Sequence, residues 1–342
     1  MPAATRMARE IAEIPEAATR LLVAGLAARA DAARRARAHD PAFLITVARG
    51  SSDHAATYLK YASELLLGLP VASVGPSIAS VYGARLKLSR ALSLTISQSG
   101  QSPDIVAMTK AAARDGALTL ALTNDSASPL ARETVLTLAL HAGPELSVAA
   151  TKTFVNSVIC GLAFLAEWAE DASLKAALET LPGHLLTAVN FDWPKLRHAL
   201  ENRNSLFTLG RGPAWAIAGE AALKLKETCQ LHGEAYSSAE VLHGPVSIIG
   251  NGFPVLGFAT GDAAEDGLAK VADQIADMGA AVFITSNKAG TASRLDHIRT
   301  GHPLTDPLPL IVSFYAMVER LAVSRGINPD MPRHLKKVTE TV

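Results

Sequence analysis

The sequence predicts an α/β protein made of doubly wound parallel sheets, built twice. Three observations predict it. Strand-like apolar runs alternate with helical ones from residue 43 onward, and the joints between them are short and carry Gly or Pro. The third is an echo: Phe43–Ser52 runs from an apolar strand through Arg49-Gly50 into a helix, and Leu206–Ala214 does the same through Arg211-Gly212. Both helices are rich in Ala and Leu, which points to internal duplication of one unit.

Taken in order, Phe43–Val47 reads as a strand, Asp53–Leu67 as a helix, Val71–Val74 as a strand and Leu92–Ile96 as a core strand. Ile105–Arg114 is the next helix and Leu118–Leu122 the next strand. Thr153–Ala169 is the most apolar long stretch. It carries Asn156 and Glu167 and falls short of the about 20 apolar residues a membrane span needs, so it reads as a buried helix. A break at 183 to 195 (Gly183, then Phe191 to Pro194) separates the copies, giving domains expected at 1–188 and 189–342. In such sheets ligands bind at the carboxyl ends of strands.

With 342 residues, 49% hydrophobic and 19% charged, the chain is long enough for two ordinary domains. Thirty-two basic and 32 acidic residues cancel, so no global field gathers nucleic acid or an anionic membrane, and any anion must be held by a local site. Cys160 and Cys229 lie in helical segments without a CxxC or Cys/His cluster. Met1–Glu10 has no apolar signal core. A cytoplasmic chain without disulfides is the expectation. No metal or redox cofactor is expected either, since no His, Cys and carboxylate set has ligand spacing.

Residues 95 to 104, TISQSGQSPD, end a core strand in hydroxyls, an amide and a glycine. Ser102 stands where a helix N-cap belongs, Pro103 suits the first helical position and Asp104 the positive end of the dipole. A strand end, a tight turn and an open helix N-terminus make an anion cradle. Serines also cluster in ordinary loops. Gly50-Ser51-Ser52, opening the helix after the first strand, favours the cradle, because two such loops on one sheet can converge on one phosphate. Neither GxGxxG nor GxxxxGK[ST] occurs there, which weakens a nucleotide reading.

Glu220, Lys224 and Glu227 fall on one helical stripe in apolar surroundings, Ala214 to Ala218. Such a stripe is ordinarily a solvated face; a buried one would be a proton-transfer pair tuned by burial against charge. His243 precedes Gly244-Pro245 on a loop, where a lone histidine is more often structural.

These residues resemble the isomerase half of glucosamine-6-phosphate synthase, built from two sugar isomerase (SIS) domains, and more closely its stand-alone relatives, the glucosamine-6-phosphate deaminases. The motifs are Arg9–Pro15, Ser97–Gly100, Ser147–Lys152, Leu209–Gly212, Glu220–Glu227, Glu240–Pro245 and Asn328–Arg333. The resemblance implies two flavodoxin-like three-layer αβα domains. It implies that Gly50, Ser51, Ser52, Ser97, Gln98, Ser99, Ser102 and Val148 hold the phosphosugar, and that Glu227 carries the proton between C1 and C2 with Glu220 and Lys224 shaping its site. It implies that His243 opens the ring from a neighbouring subunit, hence a homodimer with a shared active site. It also implies that Lys337 forms a Schiff base, although Lys336 stands where the family has a small residue. Arg49 replaces the synthase's cysteine and could add charge to the phosphate site or pair with a carboxylate.

The chain opens Met1-Pro2, without the synthase's cysteine nucleophile, so glucosamine 6-phosphate deamination is the expected direction. The alternatives are isomerisation or deglycation of another amino-linked sugar phosphate, such as a fructosamine or galactosamine 6-phosphate, and a non-catalytic phosphosugar sensor. Sensors of that kind carry a helix-turn-helix, and none is recognisable before residue 43.

Overall fold

A computed structural model describes residues 4–337. The chain forms two compact units. One comprises Glu16–Glu145, Lys152–Glu179 and the tail from Lys336; the other comprises the N-terminal residues to Pro15, Leu146–Thr151 and Thr180–Leu335.

The first unit is built on strands β1 (Phe43–Val47), β2 (Val71–Ser73), β3 (Ala91–Ile96), β4 (Leu118–Thr123) and β5 (Leu136–Ala139). They pair in the order β2-β1-β3-β4-β5, every pair parallel. β3 is buried at all six residues, because helices cover both faces of a parallel sheet and leave no solvent side to alternate toward. Its buried Thr95 hydroxyl is satisfied by Thr109 at 3.0 Å, on the helix Pro103–Arg114. The helix Lys152–Trp168 is buried almost throughout, as its apolar sequence requires.

The second unit carries β6 (Ser205–Gly210), β7 (His232–Ser237), β8 (Pro254–Gly257), β9 (Ala281–Ile284) and β10 (Ser293–Arg294). Read from the β7 edge, the order is β7-β6-β8-β9-β10, again all parallel. Second strand, first, third, fourth, fifth: the two sheets have one permutation, and the strand order reverses between the first and third strands of each. The duplication expected from the Arg-Gly echo is therefore a duplication of topology. The helices Ser51–Leu67 and Pro213–Cys229 both start from a glycine of nearly equal backbone angles, Gly50 (φ 55°, ψ −132°) and Gly212 (φ 58°, ψ −134°). That region favours glycine, and neither site has an atom within 4 Å of an added Cβ, so the requirement is conformational rather than one of space.

The helix Pro307–Ser324 is apolar and long enough to cross a membrane, but 83% of it is buried, and it packs against the Pro213–Cys229 helix as part of the core. The N-terminal helix Arg6–Ala12 packs on it as well. Thr5 caps that helix by accepting from the Ala8 N–H at 2.9 Å and donates to Glu319 at 2.8 Å, while Asp330 accepts from the Arg6 and Met7 N–H groups at 2.8 Å each.

Candidate active site

In the first unit β1 and β3 are neighbours, with Val47 opposite Thr95. The loops that leave their carboxyl ends, 48–50 and 97–102, therefore open side by side at the point where strand order reverses. Each leads straight into a helix, one beginning at Ser51 and the other at Pro103. Ser102 is the N-cap residue, although its hydroxyl makes no capping hydrogen bond. The 97–102 loop is shaped from within. The Ser97 hydroxyl accepts from the Gly100 N–H at 3.1 Å and that of Ser99 from the Gln101 N–H at 3.3 Å; the Gln98 carbonyl accepts from the Asn124 N–H at 3.0 Å. Gly100 has φ 62°, and a Cβ there would lie 2.2 Å from the Ser128 Oγ, so any side chain would strain the backbone and displace Ser128.

Arg49 reaches across from the first loop to the second, where its Nε and Nη2 both lie 2.6 Å from Oδ2 of Asp104. Of the two roles open to it from sequence, the structure has it paired with a carboxylate. Asp104 is almost fully buried and also accepts from the Ile105 N–H at 2.8 Å. Burial pushes the Asp53 carboxyl, in the first turn of the Ser51 helix, above its ordinary pKa, with Arg49 drawing it back down. The positive potential facing these loops thus comes from helix N–H groups and hydroxyls, not from an unbalanced cation.

In the second unit the stripe Glu220, Lys224, Glu227 is not a solvated face. Glu220 and Lys224 are fully buried and Glu227 has 19% of its side chain exposed. Lys224 Nζ stands 2.5 Å from Oε2 of Glu227 and 3.3 Å from Oε1 of Glu220. The Tyr315 hydroxyl, on the Pro307–Ser324 helix, donates to that same Glu220 oxygen at 3.0 Å. Burial alone would lower the Lys224 pKa, but the charges of Glu220 and Glu227 outweigh it and leave it raised. Lys224 is accordingly an ammonium at neutral pH, able to donate and unable to act as a base. Cys229, beyond the stripe, is pushed up to about 11 by burial and is no nucleophile.

His243 is exposed at the end of a short 3₁₀ turn, Glu240–Leu242. With Trp215, Tyr236, Ser237 and Glu240 it lines a hollow of about 340 Å³. Val148 is half-buried in a loop that Glu10 holds through the Leu146 and Ser147 N–H groups at 2.5 and 3.2 Å, with Asp330 accepting from the Ser147 hydroxyl at 3.2 Å. Lys336 is exposed, whereas Lys337 donates to the buried Glu145 at 3.1 Å. Glu145 in turn accepts from the Thr153 N–H at 3.0 Å and hydroxyl at 2.5 Å, at the start of the Lys152–Trp168 helix.

The structure thus brings the Gly50–Ser52 and 97–102 loops side by side in one unit, which also contains Lys337, and groups Glu220, Lys224 and Glu227 in the other, which also contains His243 and Val148. Three partners escaped the sequence reading: Tyr315, Glu145 and Asp104. Only Asp104 had a local signal, and there it was read as a dipole residue.

A sequence profile described as the SIS domain matches residues 41–166 and again 199–323. The glutamine–fructose-6-phosphate aminotransferase (isomerizing) of Sulfolobus acidocaldarius is 32% identical over 299 residues, covering 86% of this chain and 49% of that protein. The chain spans about half the length of the curated relatives it matches. Among solved structures, a protein of Silicibacter pomeroyi described as a candidate phosphosugar isomerase is 65% identical, with 96% of this chain and 100% of that one covered and a TM-score of 0.93. The glucosamine-6-phosphate deaminase of Thermotoga maritima is 19% identical, with 98% and 100% covered and a TM-score of 0.80, a likeness of fold alone.

Proposed function

The chain belongs to the SIS domain family, and from that premise we propose that it is a glucosamine-6-phosphate deaminase, releasing fructose 6-phosphate and ammonia. One observation carries the proposal: a helix stripe that should face water instead buries an ammonium against one fully buried carboxylate and a second that stays partly accessible. Burying charge in this way is costly and serves no packing purpose that Leu or Met would not serve better. Moving a proton next to a carbonyl or imine needs a positioned acid and base.

In the proposed reaction the hydroxyl and N–H loops at Gly50–Ser52 and Ser97–Ser102 take the phosphate, and His243, supplied by a second copy of the chain, opens the pyranose. Glu227, the more accessible carboxylate, removes the proton from C2 of the amino aldose and returns it to C1. The product is a C2 imine, which water hydrolyses to the ketose and ammonia. Glu220, fully buried and bonded by Tyr315, stays in place as the counter-charge of Lys224. Attack of Lys337 on the imine would release the ammonia and hold the ketose as a Schiff base that water then hydrolyses, and its pairing with buried Glu145 supports it over exposed Lys336. In this direction the chemistry requires only water as co-reactant.

The test is to incubate the protein with glucosamine 6-phosphate and follow both products. Equal release of ammonia and fructose 6-phosphate is expected. Binding of the sugar phosphate with neither product would sink the deaminase reading and leave another amino-linked sugar phosphate or a sensor. The aminotransferase relatives favour one second reading, the same proton transfer run from fructose 6-phosphate. Ammonium salts, added with fructose 6-phosphate, would then yield glucosamine 6-phosphate.

A further inference from the structure

At the carboxyl end of the edge strand β5, the unit that contains β1 to β5 has a cavity of about 160 Å³, which Ser126 from the loop after β4 also lines. Leu21, Leu138, Ala139 and Cys160 form apolar wall, and Arg29 and His141 are its larger polar groups. Arg29 is 4% exposed. Its Nη1 and Nη2 donate to the Leu21 and Leu22 carbonyls at 2.9 and 2.8 Å, at the end of the helix Ile14–Ala24. Gly25 makes room for it, since a Cβ there would lie 2.6 Å from Nη1.

Capping a helix end engages two of the three guanidinium nitrogens and leaves the third. The Arg29 Nε–H is buried without an acceptor among the described residues. Burial lowers the guanidinium's pKa, and Glu167 opposes that only from a distance, through its charge. The Cys160 thiol, pushed up to about 12 by burial, stays neutral and does not balance the charge. A buried cation of this kind ordinarily has an anionic partner, and protein ligand sites commonly set one such group in a mainly apolar wall.

We propose that this cavity binds a small organic carboxylate, with its head on the Arg29 guanidinium and a short aliphatic body against Leu21, Leu138 and Ala139. Cavities of roughly 150 Å³ admit a benzene-sized body, so the ligand has about six non-hydrogen atoms. The site is separate from the loops assigned to the sugar phosphate and stands whether or not the deaminase reading does.

Butyrate is the probe, titrated by ligand-detected NMR against butyramide, its neutral counterpart, and inorganic phosphate. Saturable butyrate binding is expected, with a Kd on the order of 1 mM, within reach of so few atoms. Butyramide and phosphate should bind at least about tenfold more weakly. Arg29→Met should abolish the difference between butyrate and butyramide. Ala28→Phe, at the exposed rim of the cavity, should block butyrate while leaving the helix cap untouched, and it carries the test if the Arg29 variant does not fold. Equal binding of butyramide, unchanged binding in Ala28→Phe, or no saturable binding up to about 20 mM would each overturn the proposal.

Discussion

The two copies of the βα unit share a backbone and differ in the side chains it carries. Aligned on Gly50 and Gly212, the positions of Glu220, Lys224 and Glu227 in the second copy are Tyr58, Ala62 and Leu65 in the first, with no acid or base among them. Aligned on the strand registers, Ser97, Gln98 and Ser99 of the first copy become Ala259, Thr260 and Gly261 of the second, and the cap Ser102 becomes Ala264. The amides of the second loop are already occupied. Asp306 accepts from the Gly261 N–H at 2.7 Å, and Asp262 accepts from the Ala264 N–H at 2.8 Å. Arg299 then bonds Asp306 at 3.0 Å and Glu265 at 2.7 Å. A strand end and a helix start supply the same positive potential in both copies; side chains decide whether an outside anion or the protein's own carboxylates use it.

The largest expected effect tests the second copy. Glu227→Gln should cut turnover by about 10²- to 10⁴-fold while the sugar phosphate still binds, read as a fall in kcat at unchanged Kd. Normal turnover would remove Glu227 from the reaction. Next, Lys224→Met leaves two carboxylates without their cation and should cost about 3–5 kcal/mol in denaturant unfolding. The pH dependence has a definite sign. Because the folded pKa of Lys224 is raised, its contribution is complete below the ordinary lysine value of about 10.4 and is lost as pH rises through the higher folded value. Unfolding curves between pH 9 and 12 would reveal that loss, and the methionine variant should lack it.

For the first copy, Ser99→Asp imitates the carboxylate filling of the second. Phosphate-sugar affinity should drop by about 100-fold, measured calorimetrically, since like charges brought together cost several kcal/mol. If affinity survives, the serine loop is not the anion site. Gly100→Ala combines a left-handed φ with the 2.2 Å approach to Ser128 and should cost about 2 kcal/mol or more, whereas Gly50→Ala meets only the backbone penalty of about 1–2 kcal/mol. The smallest effect is a gain: Asp53→Asn should tighten phosphate binding about threefold, and more so above the raised Asp53 pKa, where the wild-type carboxylate is charged.

What was legible in the sequence was local. The strands through β4 lie within a residue or two of their expected places, because a parallel strand buried on both faces is written as an unbroken apolar run. Ser102-Pro103-Asp104 marked a helix start within three residues, and the Arg-Gly echo marked a duplication. The charged stripe was visible as a pattern, but its burial was not, because the side of the helix that faces water depends on the Pro307–Ser324 helix, about 90 residues away in sequence. The bond from Tyr315 to Glu220 and that from Lys337 to Glu145 join residues 95 and 192 positions apart, and no periodicity records them. The carboxylate filling of the second loop went unseen for the same reason: Asp306 lies 45 residues from the amide it occupies.

The burial of Lys224 between Glu220 and Glu227 also bears on how such a chain can change over generations. Each of Glu220, Lys224 and Tyr315 is nearly or fully buried, and each bonds another member of the group. A replacement that is harmful alone becomes tolerable only when a second has already removed the stranded charge. Drift at these positions must therefore come in pairs or larger steps. A mutational library that varies one position at a time would find the helix almost immutable, while a library that varies all of them together would find apolar solutions that fold well without the buried charge.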